Sequence, residues 1–113
     1  MKQVDSITVQ ELQTMSEAMY GNLVKAVVDL RQELLVVDAD MHVDQEQYLL
    51  EQGSAQSDLW GINLYPAKFG TNDFIEFDSM INIRPRQKNM SRDVQDEAIR
   101  KQIIGLVSTK VSA

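Results

Sequence analysis

The sequence predicts an α+β fold, in which an antiparallel β-sheet of four to five strands packs against about three helices. Two β-branched runs, at residues 23–30 and 33–38, are separated by two residues only, which is typical of a hairpin. Near the C-terminus, apolar residues recur every four positions, as they do on one face of a helix. Turn residues separate these segments, and the predicted order is β-α-β-β-α-β-β-α.

The first helix is predicted from Thr8 to about Tyr20. Thr8 and Glu11 match the Ser/Thr-x-x-Glu pattern of a capping box, in which each side chain binds a free main-chain N–H at the helix start. Gly21 is a natural end for this helix. The hairpin that follows has a rival interpretation, since the valines of residues 23–30 also fit the spacing of a long helix.

A second helix is predicted from Asp44 to about Gln52, with Asp44 as its N-cap and Gln47 completing another capping box. Residues 59–65 and 74–83 are predicted as the next two strands, and the second of them alternates between apolar and mixed positions. The last helix is predicted to begin near Asp93 or Asp96. Its apolar stripe consists of Ile99, Ile103, Val107 and Val111.

Length and composition indicate one compact domain over residues 1–113. Hydrophobic residues make up 43% of the chain and charged residues 25%, which is ordinary for a globular protein. No apolar run approaches the roughly 18 residues of a membrane span, and no signal peptide is recognised at the N-terminus. We therefore expect a cytoplasmic protein. The absence of cysteine excludes a disulfide framework, a thiolate zinc site and a cysteine nucleophile.

Charge is distributed unevenly along the chain. Residues 1–83 contain 4 basic and 14 acidic residues, a balance of −10, whereas residues 84–113 contain 7 basic and 3 acidic residues, a balance of +4. The acidic part argues against general nucleic-acid binding, because phosphates would be repelled over most of the surface. The basic end could hold an anionic group or support self-association as a homodimer.

Asp38, Asp40, His42 and Asp44 alternate along the chain and resemble a set of metal ligands. A solvated turn followed by a helix cap explains the same pattern, and we predict neither a metal nor a cofactor. His42 is the only histidine, and it is the one side chain whose ordinary pKa suits acid–base chemistry at neutral pH. No nucleophile motif or phosphate-binding loop accompanies it, so a structural histidine beside the helix start is favoured.

Trp60 and Gly61 form the next distinctive pair. A large aromatic side chain beside glycine can act as a ligand platform. Core packing, with glycine relieving the crowding, is the favoured interpretation. Trp60 is kept as a candidate ligand-binding residue.

The stretch 81–89 is the most distinctive of the chain, because Arg84 and Arg86 flank a proline at a predicted strand end. Arginine binds carboxylate and phosphate groups through two parallel hydrogen bonds, and Gln87 and Asn89 add donors. The stretch could therefore form an anion-binding site. Alternatively, the arginines could tie the loop to the acidic body of the protein, through residues such as Asp38, Asp40 or Glu76.

The chain resembles a family of small uncharacterised bacterial proteins, mainly cyanobacterial. The resemblance covers residue 24 onward and is carried by residues 42–44 (HVD), 49–54 (LLEQGS), 58–61 (DLWG) and 81–87 (INIRPRQ), with further matches at Asn89, Ser91 and residues 95–96. It implies a stand-alone domain of unknown function and supplies no catalytic residue. The chain departs from the family where glycine-rich residues are expected, at residues 38–40, and where glycine is expected at position 88.

The function predicted from these observations is a non-catalytic binding or interaction module. Its ligand-binding residues would be Arg84, Arg86, Gln87, Asn89, Trp60 and His42, and its partner a protein or a small anionic ligand. The alternative is a small enzyme acting on an anionic substrate, with His42 and a nearby carboxylate as acid–base groups or metal ligands. That alternative requires His42 and the two arginines to meet in one cleft.

Overall fold

The computed structural model describes residues 1–113 and has the predicted α+β architecture. Five antiparallel strands form the main sheet, and a short pair of parallel strands lies apart from it. Three helices pack around them. The elements are β1 (Lys2–Val4), β2 (Ile7–Thr8), α1 (Val9–Ala18), β3 (Val24–Asp29), β4 (Leu34–Val37), α2 (His42–Glu51), β5 (Leu59–Leu64), β6 (Ile75–Glu76), α3 (Glu97–Lys110) and β7 (Val111–Ser112).

The strands of the main sheet are ordered β1-β4-β3-β5-β6, so β3 lies at the centre and β6 at one edge. The predicted hairpin is confirmed as β3 and β4, and the long-helix alternative is wrong. Asp29 closes the hairpin turn, since its Oδ1 accepts hydrogen bonds from the main-chain N–H groups of Arg31 and Gln32 at 2.9 and 3.0 Å. β2 and β7, which join the two ends of the chain, were not predicted.

The two faces of the sheet are covered differently. Alternate residues of β3 and β5, including Ala26, Val28, Trp60 and Ile62, join the main core with residues from α1 and α3. The opposite face carries a smaller cluster of Val27, Val36, Leu49 and Leu59, and it is covered by α2. We call these faces the core face and the α2 face.

The first helix begins as predicted. Thr8 Oγ1 accepts from the Glu11 N–H at 3.1 Å, and Glu11 Oε1 accepts from the Thr8 N–H at 3.2 Å, which completes the capping box. Gly21 follows the helix at a φ of 91°, a conformation that glycine adopts without steric cost.

The second helix begins earlier than predicted. Met41 is its N-cap, His42 is its first residue and Asp44 lies in its first turn, so the prediction of Asp44 as N-cap is wrong. Gln47 completes no capping box, because its amide donates to Glu51 instead. The helix start follows from burial of His42 against the sheet, a tertiary contact that outweighs the capping preference of Asp44.

The predicted strand at residues 74–83 is mostly wrong. Only Ile75 and Glu76 pair with β5, and Met80–Asn82 forms a 3₁₀ turn. Ser79 starts that turn, since its hydroxyl accepts from the Ile81 N–H at 3.3 Å. The alternating apolar pattern is present, but side chains take over the hydrogen bonding with β5, as described below.

The third helix has Asp96 as its N-cap, one of the two predicted starts. The carboxylate of Asp96 accepts from the N–H groups of Ala98 and Ile99 at 2.8 and 3.4 Å. Val111 lies beyond the helix end, in β7, and is buried there. None of the helices has the length and apolar character needed to cross a bilayer.

Candidate functional site

The stretch that the sequence singled out lies along the free edge of β5. Residues 79–92, which we call the edge segment, continue past β6 and follow this strand. The carboxamide of Asn82 accepts from the Gly61 N–H at 2.8 Å and donates to the Gly61 carbonyl at 2.9 Å. A side-chain amide thus supplies both hydrogen bonds that a neighbouring strand would supply.

Gly61 permits this approach because it has no Cβ. A Cβ at position 61 would lie 2.6 Å from the Cβ and Oγ atoms of Ser79 and 3.1 Å from Ile81 Cγ1. Such separations are well inside van der Waals contact. The glycine of the Trp60–Gly61 pair therefore makes room for the edge segment.

Arg84 is 9% exposed and its guanidinium is bonded within the protein. Each of its three nitrogens donates at least one hydrogen bond. The acceptors are the Ile81 carbonyl at 3.0 Å, Gln87 Oε1 at 3.0 Å, and the carbonyls of Gln56 and Leu59. The planar fork of arginine suits several acceptors held in fixed positions.

The guanidinium of Arg84 also stacks on the indole of Trp60, with Cζ 4.3 Å from the ring centroid. Burial lowers the pKa of Arg84, and the nearby Glu46 carboxylate acts in the opposite direction. The side chain therefore joins the edge segment to the start of β5 and to the core face. Among the sequence-predicted residues, Arg84 and Trp60 are brought into direct contact.

The alternative prediction, in which the arginines bind acidic residues of the protein body, is wrong about the groups that they bind. Arg84 contacts carbonyl groups and an amide rather than Asp38, Asp40 or Glu76. The acidic group that does hold this segment is Asp78, which forms a 2.6 Å ion pair with Arg92.

The loop between Arg84 and Asn89 is closed by two main-chain hydrogen bonds. The Arg84 N–H donates to the Asn89 carbonyl at 2.8 Å, and the Asn89 N–H donates to the Arg84 carbonyl at 3.1 Å. Lys88 completes the turn at a φ of 59°, in the left-handed region. The buried Asn89 amide donates to three carbonyls, those of Asn82, Ser91 and Asp93, at 2.7, 3.1 and 2.6 Å.

Two cations remain at the tip of this loop. Arg86 and Lys88 are exposed, and neither side chain takes part in a hydrogen bond or ion pair. Gln87 is engaged at both ends of its amide, since Oε1 accepts from Arg84 and Nε2 donates to the Ser57 carbonyl at 3.0 Å. We call residues 85–88 the basic tip.

His42 lies on the α2 face, with Nε2 2.7 Å from the Ile62 carbonyl. Because a carbonyl can only accept, Nε2 carries the proton of the neutral ring. Burial lowers the pKa of His42, and the hydrogen bond to Ile62 partly opposes this effect. Asp44 follows two residues later, about 200° around the helix, and lines a separate groove with Asp38 and Asp40.

The predicted residues therefore do not surround one pocket. Trp60 belongs to the core face and His42 to the α2 face, while Arg86 lies at an exposed loop tip. None of the six residues lines the grooves of about 620, 650 and 230 Å³. No group of three histidine or carboxylate side chains is placed to hold a metal ion. The enzyme alternative requires His42 and the two arginines in one cleft, and none of these three residues lines any of the three grooves.

Comparison with protein families identifies the chain. The family described as "protein of unknown function (DUF5674)" matches residues 3–110. The chain belongs to this family. The sequence-based resemblance to a family of unknown function is therefore confirmed at that level. No curated protein and no solved structure matches the chain.

The DUF5674 chain has a second surface feature, which sequence reasoning missed. A groove of about 620 Å³ lies between α3 and residues 69–77. Its apolar part includes all three phenylalanines of the protein, Phe69, Phe74 and Phe77. Their concentration within nine residues was the signal that could have found it.

Proposed function

We propose that this protein is a non-catalytic interaction module whose basic tip binds an acidic segment of a partner protein. One observation carries the proposal. Arg84 and Asn89 hold the loop closed from within, whereas Arg86 and Lys88 project from it without partners. A loop that is ordered before binding loses less conformational entropy when it binds.

The proposal divides the predicted ligand-binding residues into two groups. Arg86, with Lys88 beside it, would contact the partner. Arg84, Gln87 and Asn89 would hold the tip in position, because their polar groups are already hydrogen-bonded. Trp60 would support Arg84 by stacking, and His42 would stabilise α2 against the sheet.

Electrostatics support an acidic partner of limited size. The tip is positive, but the chain carries a net charge of −6, so a large polyanion such as nucleic acid would be repelled elsewhere. Binding through two exposed cations is expected to weaken as salt increases. A short acidic segment, or a small anion, fits these conditions.

The resemblance adds a wider proposal. We infer that the INIRPRQ motif at residues 81–87 is a hallmark of the family, since it builds the edge segment. We also infer a bacterial, mainly cyanobacterial, origin and a cytoplasmic location. Subcellular fractionation of cells expressing a tagged chain would test the location.

The test uses a fluorescein-labelled deca-glutamate peptide and its deca-glutamine counterpart at low salt. Charge reversal at the tip, in the double variant Arg86→Glu/Lys88→Glu, should weaken deca-glutamate binding about tenfold. The matched control is Lys2→Glu/Lys101→Glu, which changes the net charge equally at two other exposed lysines. Fluorescence anisotropy gives the affinities and thermal unfolding checks that all variants fold.

Equal weakening by both double variants would contradict the proposal, because it would indicate a general charge effect. So would equal affinity for the two peptides. Titration with inorganic phosphate separates the two ligand classes: saturable phosphate binding that depends on Arg86 would indicate a small-anion site.

A further inference from the structure

The outer edge of β6 has free hydrogen-bonding groups. In the ladder with β5, the Tyr65 N–H donates to the Phe74 carbonyl at 2.9 Å. Opposed pairs alternate between bonded and non-bonded in an antiparallel ladder, so the N–H and carbonyl of the next residue, Ile75, point away from β5. Phe77, two residues further on, makes no main-chain hydrogen bond.

Because β6 is the last strand of the sheet, nothing in the fold pairs with this edge. The free groups of Ile75 and Phe77 are separated by two residues, or about 7 Å along an extended chain. This spacing is the repeat with which a neighbouring strand presents its own donors and acceptors. The edge segment begins beyond them and pairs with β5 instead.

An apolar groove runs beside this edge. It is the groove of about 620 Å³, bounded by residues 69–77 on one side and by α3 on the other. Ile75 and Phe77 line it on the strand side. The α3 side is formed by residues at helical spacing, namely Glu97, Arg100, Ile104, Val107 and Ser108. A strand edge and a helix therefore form the two walls of one groove.

We propose that this groove binds an extended peptide segment of a partner protein, which pairs with the outer edge of β6 as a sixth strand. Its main chain bonds Ile75 and Phe77, and its alternate apolar side chains enter the groove towards Phe74 and Ile104. Main-chain hydrogen bonds provide affinity in this mode of recognition, and the pockets for alternate side chains provide specificity. The surface is separate from the basic tip, so this inference does not depend on the function proposed above.

The polar side chains on the α3 side of the groove favour a peptide over a purely apolar ligand. Arg100 is held in place by the Asp93 carboxylate and the Val94 carbonyl, each at 2.5 Å, and stacks on the Phe77 ring at 4.8 Å. These bonds use Nε and Nη2, so Nη1 is left to meet an oxygen of the bound segment. Ile104, which is 46% exposed, provides apolar contact one turn along the helix.

The experiment follows the amide signals of the ¹⁵N-labelled protein during titration with a heptapeptide that alternates serine with leucine. The peptide is acetylated and amidated so that it carries no charge. The matched probe has the same sequence with its alternate amide nitrogens methylated, which removes main-chain donors and keeps every side chain. We expect saturable shifts at Ile75 and Phe77 with the first peptide below about 1 mM, and binding at least about tenfold weaker with the second.

Two variants complete the test. Ile75→Pro removes the outward N–H without breaking a bond to β5 and should abolish the shift of the Phe77 amide, whereas Ile75→Val keeps the N–H and should bind like the parent. Should Ile75→Pro fail to fold, Ile104→Glu provides the second arm, because it charges an exposed groove residue and should also abolish binding.

Three outcomes would overturn the proposal. One is equal binding of the methylated and unmethylated peptides, and another is the absence of shifts at Ile75 and Phe77 at the highest peptide concentration. The third is a dimer, seen by sedimentation, whose dissociation by Ile75→Pro shows that a second copy occupies the edge.

Discussion

The side chain of Asn82 and the main chain of Gly61 form a pair of hydrogen bonds, at 2.8 and 2.9 Å, that closes the exposed edge of β5. Unprotected sheet edges invite pairing with other chains. Here a 3₁₀ turn protects the edge and its asparagine imitates a peptide group. The edge segment, which contains the distinctive sequence around Arg84, therefore has a structural role, since it covers the free edge of β5.

Replacing Asn82 with alanine should lower the free energy of unfolding by about 2–4 kcal/mol, because two buried main-chain groups of Gly61 lose their partners. Denaturation in urea measures the change. Asn72→Ala is the matched control: this exposed amide makes no hydrogen bond, and its removal should change stability by less than about 0.5 kcal/mol. Equal losses in the two variants would show that the Asn82 pair contributes nothing particular.

Gly61→Ala should be destabilising by about 1–3 kcal/mol, because the added methyl group overlaps Ser79. Replacing Ser79 with glycine removes the atoms that the methyl group meets. The cost of Gly61→Ala should therefore be smaller in the Ser79→Gly background, as a double-mutant cycle would measure. Identical costs in both backgrounds would indicate that the clash is relieved elsewhere.

Lys88→Gly should stabilise the protein by about 0.5–1 kcal/mol, since glycine adopts the left-handed conformation of this position without steric cost. Lys88→Ala is the control, because alanine keeps the strain and should give no gain. The melting temperature is the measurement. A gain of the same size with alanine would point to removal of the charge instead.

Arg84→Lys should destabilise the fold by about 2–4 kcal/mol, because an ammonium group cannot reach all the acceptors that the fork of Arg84 contacts. Arg86→Lys should change stability by less than about 0.5 kcal/mol, since Arg86 is exposed and unpaired. Chemical denaturation compares the two variants. Similar effects would mean that the internal hydrogen bonds of Arg84 are of little consequence.

Stability should fall as the solution is acidified through the titration of His42. Burial lowers the pKa of His42 below its ordinary value of 6.5, so below that pH the unfolded chain binds more protons than the folded protein. Stability is then lost at up to about 1.4 kcal/mol per pH unit until the folded pKa is passed. The free energy of unfolding, measured at several pH values, should show this slope in the parent and not in His42→Gln.

Local sequence signals predicted much of the chain correctly. The capping box of Thr8 and Glu11 and the N-cap at Asp96 depend on neighbours within three residues. The two places where the chain departs from the family that it resembles also have a local explanation. Asp38 and Lys88 both adopt the left-handed conformation, which suits the glycine expected there. The start of α2 could not be predicted from local signals, because the helix begins at His42, which is buried against the sheet.

The candidate site could be predicted only in part. Arg84, Gln87 and Asn89 stand out as donors in the sequence, but their acceptors are main-chain carbonyls, which every residue carries. Nothing in the residue types distinguishes a free guanidinium from a bonded one. The groove beside β6 depends on the distance between the chain near Ile75 and a helix some 25 positions later, which the sequence does not state.

The sequence by itself determined the fold class, the caps of α1 and α3 and the place of the arginine stretch, and it favoured the central hairpin over a long helix, because short-range periodicity and capping chemistry act among near neighbours. Only the tertiary structure decided that Asn82 replaces a strand, that Arg84 is bonded inside and that Arg86 is free. These outcomes depend on which main-chain groups of β5 lack a partner once the sheet has formed. That property belongs to the assembled sheet rather than to any segment of the chain.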